Sequence, residues 1–304
     1  MKLRIGTRGS TLAMVQTEYI AGLLNDLDIE TEIIIVKTTG DKDQNKKLAD
    51  LGIGVFTKEL DNKMLENEID IAVHSLKDVP TLWSDELQIT ATPKRESPDD
   101  IIIWRKDCDF DIEHDELNVG TSSIRRTSFL QFTNPNLTPK LLRGNVATRI
   151  NKLRNGEYDT IVMAKAGLVR QGIDLSEFNY KKLDILPAPA QGVIGVASRK
   201  VDTKINQLLE KICDKKTYIE ATAERWALKE YGGGCQAPFG AFAIYDIEER
   251  ILNLRCELVD EQGTIKRVKS NEGFVICTTD DVELSKELGA RVGASFKEIE
   301  TFTY

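Results

Sequence analysis

Twice in this chain a short apolar stretch ends in Gly-Thr and turns at once into a helical pattern, and that recurrence limits the fold more than any other feature. Residues 3–7 (Leu-Arg-Ile-Gly-Thr) read as a strand, after which Arg8-Gly9-Ser10 leads into an amphipathic helix reaching Asn25. Ser10 is the expected N-cap, since a hydroxyl there accepts from the first unpaired N–H groups. Residues 117–121 (Leu-Asn-Val-Gly-Thr) repeat the strand, and Ser122-Ser123 open a helix through Phe132. Residues 150–155 followed by 158–162 echo residues 64–67 followed by 69–73. Two similar α/β lobes are therefore expected. Chance recurrence of a common strand-turn-helix unit is the competing reading.

Between these blocks, residues 31–37 form a β-branched strand, and residues 39–54 are polar and glycine-punctuated, long enough for a mobile lid. Phe56, Leu60 and Met64 mark one face of a helix. Proline-rich stretches at 93–98 and 186–192 read as two crossings between the lobes, and residues 193–198 as a strand returning to the first sheet. Two crossings make a hinge with a cleft across it. From about residue 213 the pattern changes to a helix (217–231), a glycine loop, strands at 241–244, 252–259 and 265–270, and a last helix at 281–293. The expected fold class is α/β with a small α+β domain at the C-terminal end. Its expected parts are 1–95 with 191–212, then 96–190, then 213–304.

The 304 residues, 41% hydrophobic and 30% charged, suffice for more than one buried core. A net charge of −8 argues against a nucleic-acid partner. The longest apolar runs are too short to span a bilayer, and the first residues lack the apolar stretch of a secretion signal. Five cysteines, at 108, 213, 235, 256 and 277, contain no Cys-x-x-Cys pair and predict reduced thiols in the cytoplasm. Two distant histidines predict no metal site.

Arg8, Arg125, Arg126, Arg143, Arg149 and Arg170 recur near strand-to-helix junctions, with Arg4 close by. A cation at a helix N-terminus opposes the helix dipole, an arrangement suited to holding an anion jointly with the N–H groups. Several such places imply a ligand with many carboxylates or phosphates; a solvated helix start is the plainer reading of any one of them. Residues 74–80 (His-Ser-Leu-Lys-Asp-Val-Pro) follow a buried strand directly, where α/β sheets place their sites. Asp78, beside Lys77, is expected ionised there, either stabilising a developing cation or capping the turn before Pro80. Cys235 lies in Gly232-Gly233-Gly234-Cys235-Gln236-Ala237-Pro238. With no histidine near it in sequence to act as base, it suits a thiol that attaches one group and keeps it, or else an inert loop cysteine. The other four cysteines read as structural.

These segments occur in the order found in porphobilinogen deaminases: Ile5-Gly6-Thr7-Arg8, residues 74–80, Gly120-Thr121-Ser122-Ser123-Ile124-Arg125-Arg126, Arg143-Gly144-Asn145 through Arg149, and residues 232–238. The chain resembles that family along essentially its whole length. The resemblance implies two lobes like type 2 periplasmic binding proteins and a transferase of tetrapyrrole biosynthesis. It implies condensation of four porphobilinogen molecules into hydroxymethylbilane on a dipyrromethane cofactor bound by a thioether to Cys235. Asp78 then matches the catalytic carboxylate, which would hydrogen-bond pyrrole N–H groups and stabilise the azafulvene-like cation. Arg8, Ser10, Arg149 and Arg170 would bind substrate and chain carboxylates. Ser75, Lys77, Thr121, Ser123, Arg125, Arg126 and Arg143 would hold the cofactor. The resemblance also implies a monomer with no membrane or nucleic-acid partner. One departure stands in Leu51-Gly52-Ile53-Gly54, where many members carry lysine in place of Ile53; Lys46 or Lys47 are the candidates to replace that contact. The rival readings are a two-lobed binder of a polycarboxylate, which gives Cys235 no purpose, and the effector lobe of a transcription regulator, for which no helix-turn-helix precedes the first strand.

Overall fold

Alternation in the first strand sets the first layer. In β1 (Lys2–Arg8) Leu3 and Ile5 are buried against Ile20, Ala21 and Leu24 of α1 (Thr11–Asn25). Side chains two apart share a strand face, and the spacing 20, 21, 24 makes one helix face, so two periodicities meet in one core. Ser10 caps α1 as expected, its Oγ accepting the Ala13 N–H at 3.3 Å. The structure, a computed structural model, describes residues 2–38, 54, 57–234, 237–259, 268–276 and 280–297. Lys46, Lys47, Ile53, Phe56, Cys235 and Cys277 lie outside the described residues, as does the expected 39–54 lid apart from Gly54.

The described chain divides into two units, residues 1–96 with 192–218 and residues 97–191 with 219–304. The first holds a five-stranded sheet of β2 (Glu30–Val36), β1, β3 (Ile71–Ser75), β10 (Ile194–Arg199) and β4 (Leu87–Ala91), in that order. β1 runs parallel to β2 and β3, whereas β10 is antiparallel to β3 and β4. The strand expected at 193–198 therefore does return to the first sheet. On the face opposite α1, Leu60 and Met64 of α2 (Lys58–Leu65) pack with Ile69, Ala72 and Ala197.

The second unit repeats the plan. Its sheet runs β7 (Leu137–Leu141), β6 (Leu117–Thr121), β8 (Thr160–Ala164), β5 (Asp100–Arg105), β9 (Phe178–Lys182). β6 is parallel to β7 and β8, and β5 is antiparallel to β8 and β9. Leu130 of α3 (Ile124–Thr133) covers one face, and Ile150 and Leu153 of α4 (Val146–Arg154) the other. The two Gly-Thr strand ends share a steric cause. A Cβ at Gly6 would stand 2.2 Å from Ile69 Cδ1, and one at Gly120 3.0 Å from Ile161 Cγ2 and Tyr158 Cδ1. In both sheets a neighbouring side chain lies where a larger residue would put its own carbon.

The same unit carries an antiparallel sheet of β11 (Phe239–Asp246), β12 (Ile251–Val259) and β13 (Val268–Ile276). Its core gathers Ile219, Ala223 and Ala227 of α7 (Lys215–Tyr231) with Leu288 and Val292 of α8 (Asp281–Ala294). Gly289 and Gly293 let these helices touch by their backbones, since a Cβ at either would come within 2.4 Å of a carbonyl oxygen of α7. The expected α/β class with a small α+β part is the fold observed.

Boundaries differ in places. The last strand, Val268–Ile276, runs on past the expected end at 270, its ladder opposite the full length of β12, while residues 265–267 lie outside the described residues. β3 begins at Ile71 rather than Ile69, because the Ile69 side chain fills the space over Gly6 while the Asp70 N–H donates to Arg4 O at 2.9 Å. Periodicity does not mark β7 or β9, which are edge strands with mostly exposed or half-buried residues.

Candidate active site

In each α/β sheet the candidate residues follow the carboxyl ends of parallel strands, where backbone N–H groups of the next turn point outward. In the first unit Arg8 ends β1, half-buried. β3 runs into a single 3-10 turn, Leu76–Asp78. The turn is pinned from behind: Leu76 is buried, and its N–H donates to Val193 O at 3.0 Å. Lys77 is half-buried, and Asp78 is exposed at the tip. Among the described residues no group bonds to the Asp78 carboxylate. Ser75 does not cap the turn; its Oγ is held by the Gln16 amide, at 3.0 Å from Nε2 and 3.1 Å from Oε1. Gln16 is buried and escaped sequence reading, because one polar residue on a helix face gives no periodic signal.

In the second unit the ends of β6, β7 and β8 bring several candidates close. Thr121 is buried, and its Oγ1 accepts the Ser123 N–H at 3.2 Å. Ser123 caps α3, its Oγ accepting the Arg126 N–H at 3.4 Å. A hydroxyl that accepts in this way keeps its own proton to donate. After β7, Arg143 is half-buried and Gly144 adopts a φ of 112°, left-handed backbone that favours glycine. Asn145 caps α4 by accepting the Thr148 N–H at 2.9 Å. Arg149 folds back over this turn, donating from Nε to Gly144 O at 2.8 Å and from Nη2 to Ser122 Oγ at 3.3 Å. Arg170 ends α5 (Lys165–Arg170), just after β8. Arg4 is placed otherwise: it pairs with Asp70 at 2.7 Å, at the start of β3.

Arg125 and Arg126 are the most buried of the candidate cations, and part of the anion they hold is the chain's own. Asp100 accepts from Arg125 Nη2 at 2.5 Å and from Arg126 Nη2 and Nε at 2.8 and 3.0 Å. Burial alone would raise the Asp100 carboxyl, but the two guanidiniums hold it far below the usual carboxylate range. Burial pushes the Arg125 guanidinium down, partly offset by Asp100. The remaining donors go to carbonyls, Arg125 Nη1 to Leu186 O at 2.6 Å and Arg126 Nη1 to Val162 O at 3.1 Å. Arg125 Nε is the exception, buried with no acceptor among the described residues. One carboxylate thus faces two guanidiniums, and a buried donor is left over. A carboxylate-bearing ligand fits that deficit.

In the glycine stretch before Cys235, Gly232 and Gly234 have φ of 89° and 62°, backbone that a side chain strains. Among the described residues no group of three His, Cys, Asp or Glu could hold a metal, and no helix is long and apolar enough to cross a membrane. An open hollow of about 570 Å³ lined by Trp104, Phe110 and Asp111 contains none of the candidates.

Two family models match the chain: the dipyromethane cofactor binding domain of porphobilinogen deaminase over residues 3–207, and the C-terminal domain of the same enzyme over 218–298. A probable porphobilinogen deaminase of Methanocaldococcus jannaschii is 50% identical over 295 residues, covering 97% of this chain and 99% of that one. One from Methanosarcina acetivorans is 38% identical over 290 residues, 95% of this chain and 90% of that one. Among solved structures, the VFT2 domain of Bordetella pertussis BvgS is 16% identical with a TM-score of 0.41, over 69% of this chain and 86% of that one. With both family models matched in sequence order and relatives aligned nearly end to end, the chain belongs to the porphobilinogen deaminase family.

Proposed function

We propose that this chain is a porphobilinogen deaminase, joining four porphobilinogen molecules head to tail into hydroxymethylbilane, with release of four ammonia molecules and uptake of one water. The observation that carries the reading is Asp78, an exposed carboxylate with no partner among the described residues, at the tip of a turn fixed from behind by Leu76. The reading takes Cys235 Sγ as the thioether anchor of a dipyrromethane; when bound, that group supplies the pyrrole carbon to which the first substrate is joined.

The roles of the chain's own residues follow from their chemistry. Asp78 accepts hydrogen bonds from pyrrole N–H groups and stabilises the cation left when ammonia departs from the substrate's aminomethyl carbon. Each porphobilinogen brings two carboxylates, so cations must be ready in number. Arg8, Arg149 and Arg170, with the Ser10 hydroxyl, steer substrate and chain carboxylates. Arg125, Arg126, Arg143 and Lys77 hold cofactor carboxylates, with Thr121 and Ser123 donating their unused hydroxyl protons and Ser75 adding its polar atoms. The unmatched donor at Arg125 Nε supports that division. A net charge of −8 with cations gathered at strand ends supports a small anionic substrate rather than nucleic acid. We take the protein to be a cytoplasmic monomer.

The test is turnover. Purified chain should consume porphobilinogen and release about one ammonia per molecule consumed. No consumption by chain that is folded and carries its cofactor would overturn the proposal.

A further inference from the structure

Asp100 stands where two kinds of structure meet. Besides Arg125 and Arg126, its Oδ1 accepts from Gln191 Nε2 at 2.9 Å, and the same amide donates to Pro98 O at 2.7 Å. Gln191 and Pro98 lie on two of the three connections by which the chain leaves or enters this unit. Arg125 grips the second connection again through Leu186 O. Further along, Ala190 is held in left-handed backbone, φ 61°, with its N–H on Glu224 Oε2 at 2.6 Å. Asp100 and Gln191 are both buried, at 1% and 0% exposure, so neither exchanges these partners for water at low cost.

We infer that Asp100 is a positioning residue that couples occupancy of the anion site at Arg125 and Arg126 to the order of the connection at residues 186–191. The inference rests on the proposed function for the identity of the anion. Two guanidiniums on one buried carboxylate leave these three side chains with a net positive charge. A ligand carboxylate at Arg125 Nε supplies the missing charge, so Arg125, Asp100 and Gln191 are held more firmly in their present places. Coupling is reciprocal: whatever the ligand adds to the order of the connection, an ordered connection adds to the hold on the ligand. Asp100 touches no ligand itself; it acts through the arginines and through Gln191.

The test compares backbone hydrogen exchange at residues 186–191 in cofactor-loaded chain and in Cys235→Ala chain, which has no anchor. Intact mass reports loading separately. Loaded native chain should exchange at Gln191 and Ala190 at least about fivefold more slowly than Cys235→Ala, the lower end of ordinary coupling. The difference at Gln191 and Ala190 should be lost in Asp100→Asn, and also in Gln191→Met, which removes the amide's bonds to Asp100 and Pro98 and should still load; only the part carried by Arg125 on Leu186 O should remain, at Leu186. A merely structural Asp100 or Gln191 would speed exchange equally in loaded and unloaded chain and leave the difference intact; that result overturns the inference. Equal exchange in loaded and unloaded native chain overturns it too. If Asp100→Asn does not fold, Gln191→Met decides alone. Native chain with no added mass after exposure to porphobilinogen would instead sink the proposed function, and this inference with it.

Discussion

Replacing Asp61 with asparagine should stabilise this protein at neutral pH but not near pH 4. Asp61 lies on α2, its Oδ2 accepting from Trp83 Nε1 at 2.8 Å. Burial, with a smaller contribution from nearby Glu59, pushes its carboxyl up to about 6 from an ordinary 3.8. An acid whose pKa is raised by folding is favoured in its protonated form. Its ionisation therefore removes stability as pH rises from about 4 to about 6, and the loss is complete above that. The difference between the two values corresponds to about 3 kcal/mol. Asp61 is only half-buried, and water screens part of its charge, so about 1–2 kcal/mol is the expected effect. Asparagine keeps an oxygen for Trp83 and carries no charge. Urea unfolding followed by tryptophan fluorescence should find Asp61→Asn more stable than native by that amount at pH 7.5, and equal to it near pH 4. A variant less stable than native at pH 7.5, or a difference that does not change with pH, would refute the reasoning.

Other outcomes follow from the same contacts. Asp78→Asn should fold and load cofactor yet lose at least about a hundredfold in kcat, the usual cost of removing a group that stabilises developing charge; near-native turnover would remove Asp78 from its role. Gly6→Ala should cost about 1–3 kcal/mol of stability by pressing on Ile69, measured by thermal unfolding. Arg149→Lys should raise KM for porphobilinogen with little change in stability, because lysine cannot span Gly144 O and Ser122 Oγ together.

The layer plan was legible in the sequence because buried strands and amphipathic helices impose periods of two and 3.6 on their apolar residues. The two Gly-Thr ends marked matching positions in two sheets of the same strand order. The place of Asp78, in a turn directly after a buried strand, was legible as well. The edge strands β7 and β9 were not, because a half-exposed strand carries a weak pattern. The partners of the candidate arginines were hidden for a different reason. The helix-start position of Arg125 and Arg126 announced an anion, but nothing in sequence shows that Asp100, 25 residues earlier, supplies one of the charges. Gln16 and Gln191 act through contacts 59 and 91 residues away, a separation no local pattern encodes.

The most direct test of the account is the intact mass of the purified chain after exposure to porphobilinogen, beside the same measurement on Cys235→Ala. The account predicts native chain heavier than its sequence by a covalently held dipyrromethane that survives denaturation, and a variant at its bare sequence mass with no turnover. Native chain at bare mass that still makes hydroxymethylbilane, or a Cys235→Ala chain that carries the added mass, would contradict it.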